Sequence, residues 1–471
     1  MKKSLLAVLV ASTFILGACS DDGDDGIDGI NGVDGVDGVA GSDGTDGVSS
    51  FVTVDDVVAT NANIAFAMYS DSLFTAQELM TALETLVANP SEATLAAARE
   101  AWLASREPYV QTEAYRFRGG PIDALLDDGT IGEDGEGPEG RINAWPLGEA
   151  LIDYVAVEVD GDSEATSSET AVTGNIISNT TDFPDLSPTV VATFNELDGD
   201  ERNVGTGYHA IEFLLWGQDL NADGSGSGER DATAGQRPAS DYFTASTTGV
   251  NTCTSGDVAA ADEICERRGE YLLSVAQVLV DDLQAVANAW APEVGVHYTE
   301  FVQGGDTSLA LILEGMGRLS FGELAGERIN IALRTDSQED EHSCFSDNTH
   351  RDIFLDAQSV QIMYTGSYTR VDGSVVEGAS INDLLVVEGE PELANTMRAA
   401  LEATMASATV IDTLANTGTP FDVLIQEGIT QPNVVAVIVN LVEQTDVIEQ
   451  VIDALNVTTN DIRQDTEENL G

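Results

Sequence analysis

The stretch Gly205–Gly217, "GTGYHAIEFLLWG", places one histidine and one glutamate in an otherwise almost wholly apolar run. On a helical wheel Gly205, His209, Glu212 and Trp216 form one stripe, and Val204, Tyr208, Ile211 and Leu215 form its neighbour. Phe213 and Leu214 cover the remaining directions, so the segment reads as a helix that is apolar nearly all round and buried. Burying a free imidazole and a carboxylate costs several kcal/mol unless they are paired, hydrogen-bonded or bound to a metal. Their i, i+3 spacing lets both side chains reach one point, as in metal sites built inside helical bundles. A structural pair and a metal site satisfy that spacing equally well. Zinc, iron or manganese would accept such ligands, but two are too few and others must converge on them.

Glu113 is the best distant candidate. Between Ser91 and Arg118, Trp102, Tyr109, Glu113, Arg116 and Phe117 share one face of an expected helix, so Glu113 points inward. Arg116 could instead be its ion-pair partner. Pro90-Ser91 supplies the start of this helix and Gly119-Gly120-Pro121 its stop, with a kink or break expected at Pro108.

Helical periodicity also predicts helices near 55–88, 146–158, 186–197, 203–217, 258–291, 305–335, 391–415 and 433–455. Strand-like runs are few and short, such as "RVDGSVVEG" from Arg370. The expected fold is all-α, two helical-bundle domains. The boundaries read as 51–220 for the first domain, carrying His209 and Glu212, 221–257 for an acidic linker loop, 258–460 for the second domain and 461–471 for a tail.

A second polar cluster, "DSQEDEHSCFSDNTHRD" from Asp336 to Asp352, gathers Glu341, His342, Cys344 and His350 and suggests a ligand or docking role. Glu323 and Glu327, just before it, lie four apart near arginines, as salt bridges require. "DLNADGSGSGER" approaches a calcium loop with Asp219, Asn221, Asp223 and Gly224 in step, but Arg230 stands where a bidentate glutamate belongs. His297 stands alone and reads as a surface residue. No His-Glu-x-x-His run, Gly-x-Ser-x-Gly elbow or phosphate-cradling loop is present.

The N-terminus, "MKKSLLAVLVASTFILGACS", reads as a signal peptide over 1–18. Its Leu16-Gly17-Ala18-Cys19 ending resembles the bacterial lipobox, which implies acylation of Cys19. Ser20 after that cysteine implies sorting to the outer membrane. Glycine then recurs at every third position from Gly23 to Gly47 without a proline, so residues 19–50 form a collagen-like, acidic tether. In an oxidising compartment Cys253 and Cys265 are expected to close a short disulfide loop, although any pairing of the three remaining cysteines is open. The formal net charge is -63, from 82 acidic and 19 basic residues. Two of the basic residues are Lys2 and Lys3, and the rest are arginines. Such a surface excludes nucleic acid as a partner, and it either keeps the chain soluble in a salty habitat or collects cations.

"GYHAIEFLLWGQDL" contains Gly207-x-His209-x-x-Glu212, and GxHxxE is the signature of the imelysin family, also called insulin-cleaving membrane peptidases. "QTEAYRFRGGPID", "INAWPLGEALIDYV", "GQRPASDYF", "GELAGERINIAL" and "EDEHSCFSDNTHRDI" resemble its iron-regulated protein A branch, and the likeness spans roughly residues 52–460. The resemblance implies two bundle-like helical domains with His209 and Glu212 in a cleft between them, and a bacterial envelope lipoprotein linked to iron uptake. The expected protein is a lipid-anchored outer-membrane component that binds a metal ion (iron or zinc) or an iron compound through His209, Glu212 and Glu113. Its expected partners are the membrane, that ligand and outer-membrane uptake proteins. The alternatives are a metallopeptidase with Glu212 as base, because members of the family are classed as peptidases, and a surface adhesion or scaffold protein.

Overall fold

A computed structural model describes residues 51–463 except 133, 134, 136, 157–173, 200, 201 and 227, and only the backbone of Asp198. The signal peptide, Cys19 and the glycine-rich tether lie outside the described residues, as does the tail beyond 463.

Eight helices carry the architecture: α1 (Val54–Ala88), α2 (Glu92–Val110), α3 (Gly207–Trp216), α4 (Asp262–Ala289), α5 (Asp306–Arg318), α6 (Thr349–Thr365), α7 (Pro391–Asn416) and α8 (Pro432–Leu455). The fold is all-α. The described strands are two short hairpins, one of them pairing Ser367–Thr369 with Val375–Glu377, the second of which lies in the run read as strand-like. Local chemistry sets the helix starts. Thr53 caps α1 reciprocally with Asp56, and Ser91 caps α2 with Thr94.

α1 packs on α2 and α4, and α3 lies between α2 and α4. α7 packs on α6 and α8, while α8 also covers α5 and its continuation. One contiguous hydrophobic cluster runs through both groups. Residues from Phe51 onward form one compact unit, and α4, expected to open a second domain, packs with α1 and α3. The 221–257 stretch therefore joins two helices of the same bundle, so the boundary expected there does not divide the packing. The disulfide Cys253–Cys265 closes the end of this stretch onto the first turn of α4, leaving Cys344 as a buried free thiol. No helix among the described residues is long and apolar enough to cross a membrane.

Three local expectations are corrected. The helix expected to run to Arg118 stops at Val110. There the Thr112 hydroxyl and amide both turn onto the Tyr109 carbonyl (2.7 Å each), competing with helical pairing, and Glu113–Tyr115 form a 3₁₀ turn. The helices expected at 146–158 and 186–197 shrink to the single turns Glu149–Ile152 and Pro188–Val191 within their described parts. α6, whose first turn was read as part of a polar cluster, was not anticipated.

Beyond α5 the chain continues as a π-helix over Leu319–Ile331. In an α-helix residues five apart diverge by about 140°, whereas the wider π winding brings them onto one side. That is how Arg328 Nε reaches Glu323 Oε1 at 2.7 Å.

Candidate functional site

The first glycine of the motif sets α3 in place. Gly207 has φ +82°, and a Cβ there would lie 2.4 Å from the Ile142 carbonyl oxygen and 2.7 Å from that of Arg141. Only glycine lets the helix start against this turn, whose next residue, Asn143, belongs to the site. At the other end, Arg99 donates to the Leu215 carbonyl (2.8 and 3.0 Å), Tyr242 to Leu214 (2.6 Å) and the Arg237 amide to Trp216 (2.7 Å). The terminal carbonyls are thus satisfied, in part by a cation, which suits the negative end of the helix dipole.

His209 and Glu212 are 1% and 0% exposed. His209 Nδ1 and Glu212 Oε2 are 2.8 Å apart, while Glu212 Oε1 accepts from the Ser346 amide (3.0 Å) and hydroxyl (2.6 Å). Both oxygens of Glu212 are engaged, so it sits as a holder of the imidazole. His209 Nε2, in contrast, is buried without a hydrogen-bond partner. The ring is walled by Trp145 (centroids 5.0 Å apart) and meets His342 edge-on at 4.7 Å. Burial pushes the Glu212 carboxyl up to about 8. Burial, reinforced by Arg106 and Arg328, holds His209 well below the usual histidine range, so the imidazole is neutral and one of its nitrogens carries a lone pair.

His342 Nε2 lies 3.2 Å from Asn143 Nδ2, which donates to it. Asn143 is in turn fixed by Arg106, which also donates to Asp352 at 3.0 Å. Burial and the facing Arg328 keep His342 neutral as well. Glu113, expected to join the histidine as a ligand, is instead bonded by Arg328 (2.6 Å) and Arg116 (3.3 Å). Burial alone would raise its carboxyl, but Arg328, Arg116 and Arg106 together hold it below the ordinary value. Among the described residues, His209, Glu212 and Glu113 do not form a group of converging ligand atoms.

These residues back onto a cavity of about 400 Å³, lined by His342, Asn143 and Trp145 and by Arg116, Arg328, Glu139, Glu196, Glu323, Glu327 and Asp340. His209 does not line it directly; the rings that touch His209 do. The expectation of an open cleft at His209 is corrected accordingly. Five carboxylates against two guanidiniums give the walls an acidic balance, which favours a cationic occupant.

The second polar cluster divides. His342 joins the cavity, whereas Glu341 and Cys344 turn toward Asp219 on the far side of the loop. His350, half-buried, hydrogen-bonds the Asp347 carbonyl (2.9 Å) and lies 3.8 Å from Asp412. His297 is not a free surface residue: its ring packs on Trp290 at 4.5 Å, and burial lowers it to about 3. Sequence reasoning did not single out Arg106, Asn143, Trp145 or Ser346. Their signal was local, since Asn143 and Trp145 lie in "INAWP" and Ser346 in "HSCFSD", but only the fold brings them to His209.

The chain has relatives. It is similar to the crystal structure of a putative iron-regulated protein A precursor from Parabacteroides distasonis, with TM-score 0.56 and 15% identity, covering 86% of this chain and 97% of that one. It is also similar to an imelysin-like protein from Psychrobacter arcticum, with TM-score 0.49, 15% identity and the same coverage. No curated protein is significantly similar to it. The Imelysin family model matches residues 65–462, through α3 and the cavity walls, and the chain belongs to the imelysin family.

Proposed function

We propose that this protein is an outer-membrane lipoprotein that binds a metal ion or an iron compound at the cavity beside His209 and His342, as part of iron uptake. The observation that carries the reading is the buried His209 Nε2, which has no hydrogen bond while Glu212 holds the opposite nitrogen. A cation bound at Nε2 would favour the ionised form of Glu212, whose carboxylate would then accept from Nδ1–H and leave the Nε2 lone pair to the metal, the arrangement proteins use to present a histidine to a metal. Glu212 then acts as the orienting group, His209 as the donor, and His342 as the nearest second imidazole. Glu113 fixes the arginines of the wall. Iron and zinc both accept imidazole nitrogen, and the acidic walls would gather a cationic species. The iron-regulated name of one structural relative agrees with this reading.

A hydrolytic role for Glu212 would need a free oxygen to activate water, and both of its oxygens are engaged. The geometry therefore supports binding better than peptide cleavage. Lipidation rests on the Leu16–Cys19 sequence, and Cys19→Ser should abolish acylation and release the protein from membranes.

Equilibrium dialysis of the purified protein against ferrous, ferric-chelate and zinc solutions, followed by metal analysis, tests the site. His209→Ala should abolish binding, whereas Glu212→Gln should keep the stoichiometry and weaken affinity by about 10- to 100-fold. Wild-type binding by His209→Ala would defeat the assignment. Chelator-sensitive peptide cleavage lost in His209→Ala would replace it with a hydrolytic one.

A further inference from the structure

Asp219, Asp347 and Asp422 come from three separate segments: the loop after α3, the loop before α6, and a short turn of helix at Phe421–Ile425. One oxygen of each lies within 4.8 Å of the other two, and Asp219 also forms such a trio with Glu341 and the Cys344 sulfur. Glu341 is 0% exposed, and both its carboxylate oxygens lack a hydrogen bond of good geometry, with only the Thr349 hydroxyl standing beside it. Asp422 is 1% exposed and leaves Oδ1 unbonded. The guanidinium that reaches the group is Arg230, with Nε 3.8 Å from Asp422 Oδ2; its hydrogen bonds go to the Asp422 and Asp336 carbonyls and the Asp336 carboxylate. Four buried or half-buried carboxylates therefore face one arginine. A cavity of about 10 Å³, room for a single water-sized occupant, opens against Asp219 and Asp422.

Two oxygens on opposite sides of a calcium ion lie about 4.8 Å apart, twice a bond of ~2.4 Å. Three oxygens no farther apart than that meet the spacing limit for sharing one ion, and a small inward shift of the side chains would bring them to bonding distance. We propose that Asp219, Asp347 and Asp422, with Glu341 beside them, form a binding site for a divalent hard cation of the calcium class. An all-oxygen donor set selects a hard cation, whereas a soft metal would need the Cys344 sulfur. Burial and the surrounding carboxylates push that thiol well above its usual range and keep it neutral. Burial raises Asp347 to about 8, with Asp422 and Asp231 adding to it, and raises Asp422 to about 6, with Asp231 adding to it and Arg230 opposing.

The site is not the calcium loop that the sequence suggested. Asn221 and Asp223 are engaged within their own loop, by the Asp231 amide (2.8 Å) and by Ser225 (2.6 Å), and Arg230 points to Asp336. Only Asp219 of that loop turns inward, to carboxylates more than a hundred residues away. A cation here would tie the end of α3 to the 341–347 loop, which carries His342 and Ser346.

Full-length protein stripped with EGTA should bind one Ca²⁺ per chain by calorimetry and melt at a higher temperature when Ca²⁺ is restored. Asp347→Asn, a replacement that tolerates the positive φ of that residue, and Glu341→Gln should each weaken Ca²⁺ by about tenfold or more. His209→Ala should leave the Ca²⁺ affinity unchanged, which separates this site from the one proposed for iron. The proposal is overturned if stripped wild type neither binds Ca²⁺ nor changes its melting temperature, or if both carboxylate variants bind it like wild type. It is equally overturned if the site takes Zn²⁺ alone and loses it in Cys344→Ser.

Discussion

Asp153→Asn should destabilise the protein by about 3 kcal/mol, through the four-charge cluster that anchors the far end of α3. Asp153 is 3% exposed and accepts from Arg237 Nη1 (2.7 Å) and from Arg268 Nε (2.7 Å) and Nη2 (3.1 Å). Asp241, fully buried, accepts a further bond from Arg237 at 3.0 Å and balances the second arginine. Breaking a buried pair by removing one partner costs about 3–5 kcal/mol, because a charge is left uncompensated. Asp241 still pairs with Arg237 in the variant, which places the loss at the lower end of that range. Against a total stability of about 5–15 kcal/mol this is large enough to read as a shift in the urea midpoint at unchanged slope. Burial alone would raise the Asp153 carboxyl, but Arg268 and Arg237 hold it below its ordinary value. Its contribution is therefore fully present above the unfolded-state pKa of about 3.9 and lost as pH falls through the lower folded value. The gap between wild type and variant should be constant near neutrality and close below about pH 4, a difference in which the other carboxylates cancel. A loss under ~1 kcal/mol at pH 7, or a gap that widens in acid, would refute the reasoning.

Gly207→Ala should cost at least about 2 kcal/mol, because it combines a strained backbone with a clash against the Ile142 and Arg141 carbonyls; a thermal melt showing a neutral effect would contradict the placement of α3. Raising NaCl from low concentration to about 1 M should raise the melting temperature, since among the described residues seven arginines are buried in ion pairs, hydrogen bonds or ring contacts, which leaves few cations to offset the 82 acidic residues of the chain. A melting temperature that falls with salt would mean that surface repulsion is not what limits stability.

The long helices were legible because each buries one apolar face over many turns, so the periodicity survives local noise; α1, α4, α7 and α8 end within a few residues of their expected limits. What sequence could not resolve depends on competition at single residues. The end of α2 turns on whether the Thr112 hydroxyl takes the Tyr109 carbonyl, a choice the 3.6-residue period does not register. α6 opens with His350, Arg351 and Asp352, whose polarity suits a loop, but Asp352 is buried there because Arg106, far off in sequence, bonds it. The domain boundary failed for a similar reason. Acidic, glycine-rich composition marks a surface excursion, but says nothing about whether the helices on its two sides pack together.

At the site, the requirement was legible and its solution was not. A buried His209 and Glu212 had to be satisfied, and the i, i+3 spacing correctly placed them within reach of each other. The spacing could not say that Ser346 would engage the remaining oxygen of Glu212, so that both oxygens are taken up by protein groups and the carboxyl holds the imidazole instead of converging with it. It also could not say that Glu113 would be held by Arg328, because the two lie 215 residues apart and only the packing of their segments brings them together. The loop from Glu341 to Asp347 connects these facts. Within seven residues it sends Glu341 and Asp347 to one buried carboxylate group and His342 and Ser346 to the other side, against His209 and Glu212. The loop reads Glu-His-Ser-Cys-Phe-Ser-Asp, a cluster that suggested a ligand or docking role without saying which side each side chain faces. Their order makes sense once the loop is a partition, with a buried carboxylate group on one side and the imidazole and hydroxyl that meet His209 and Glu212 on the other.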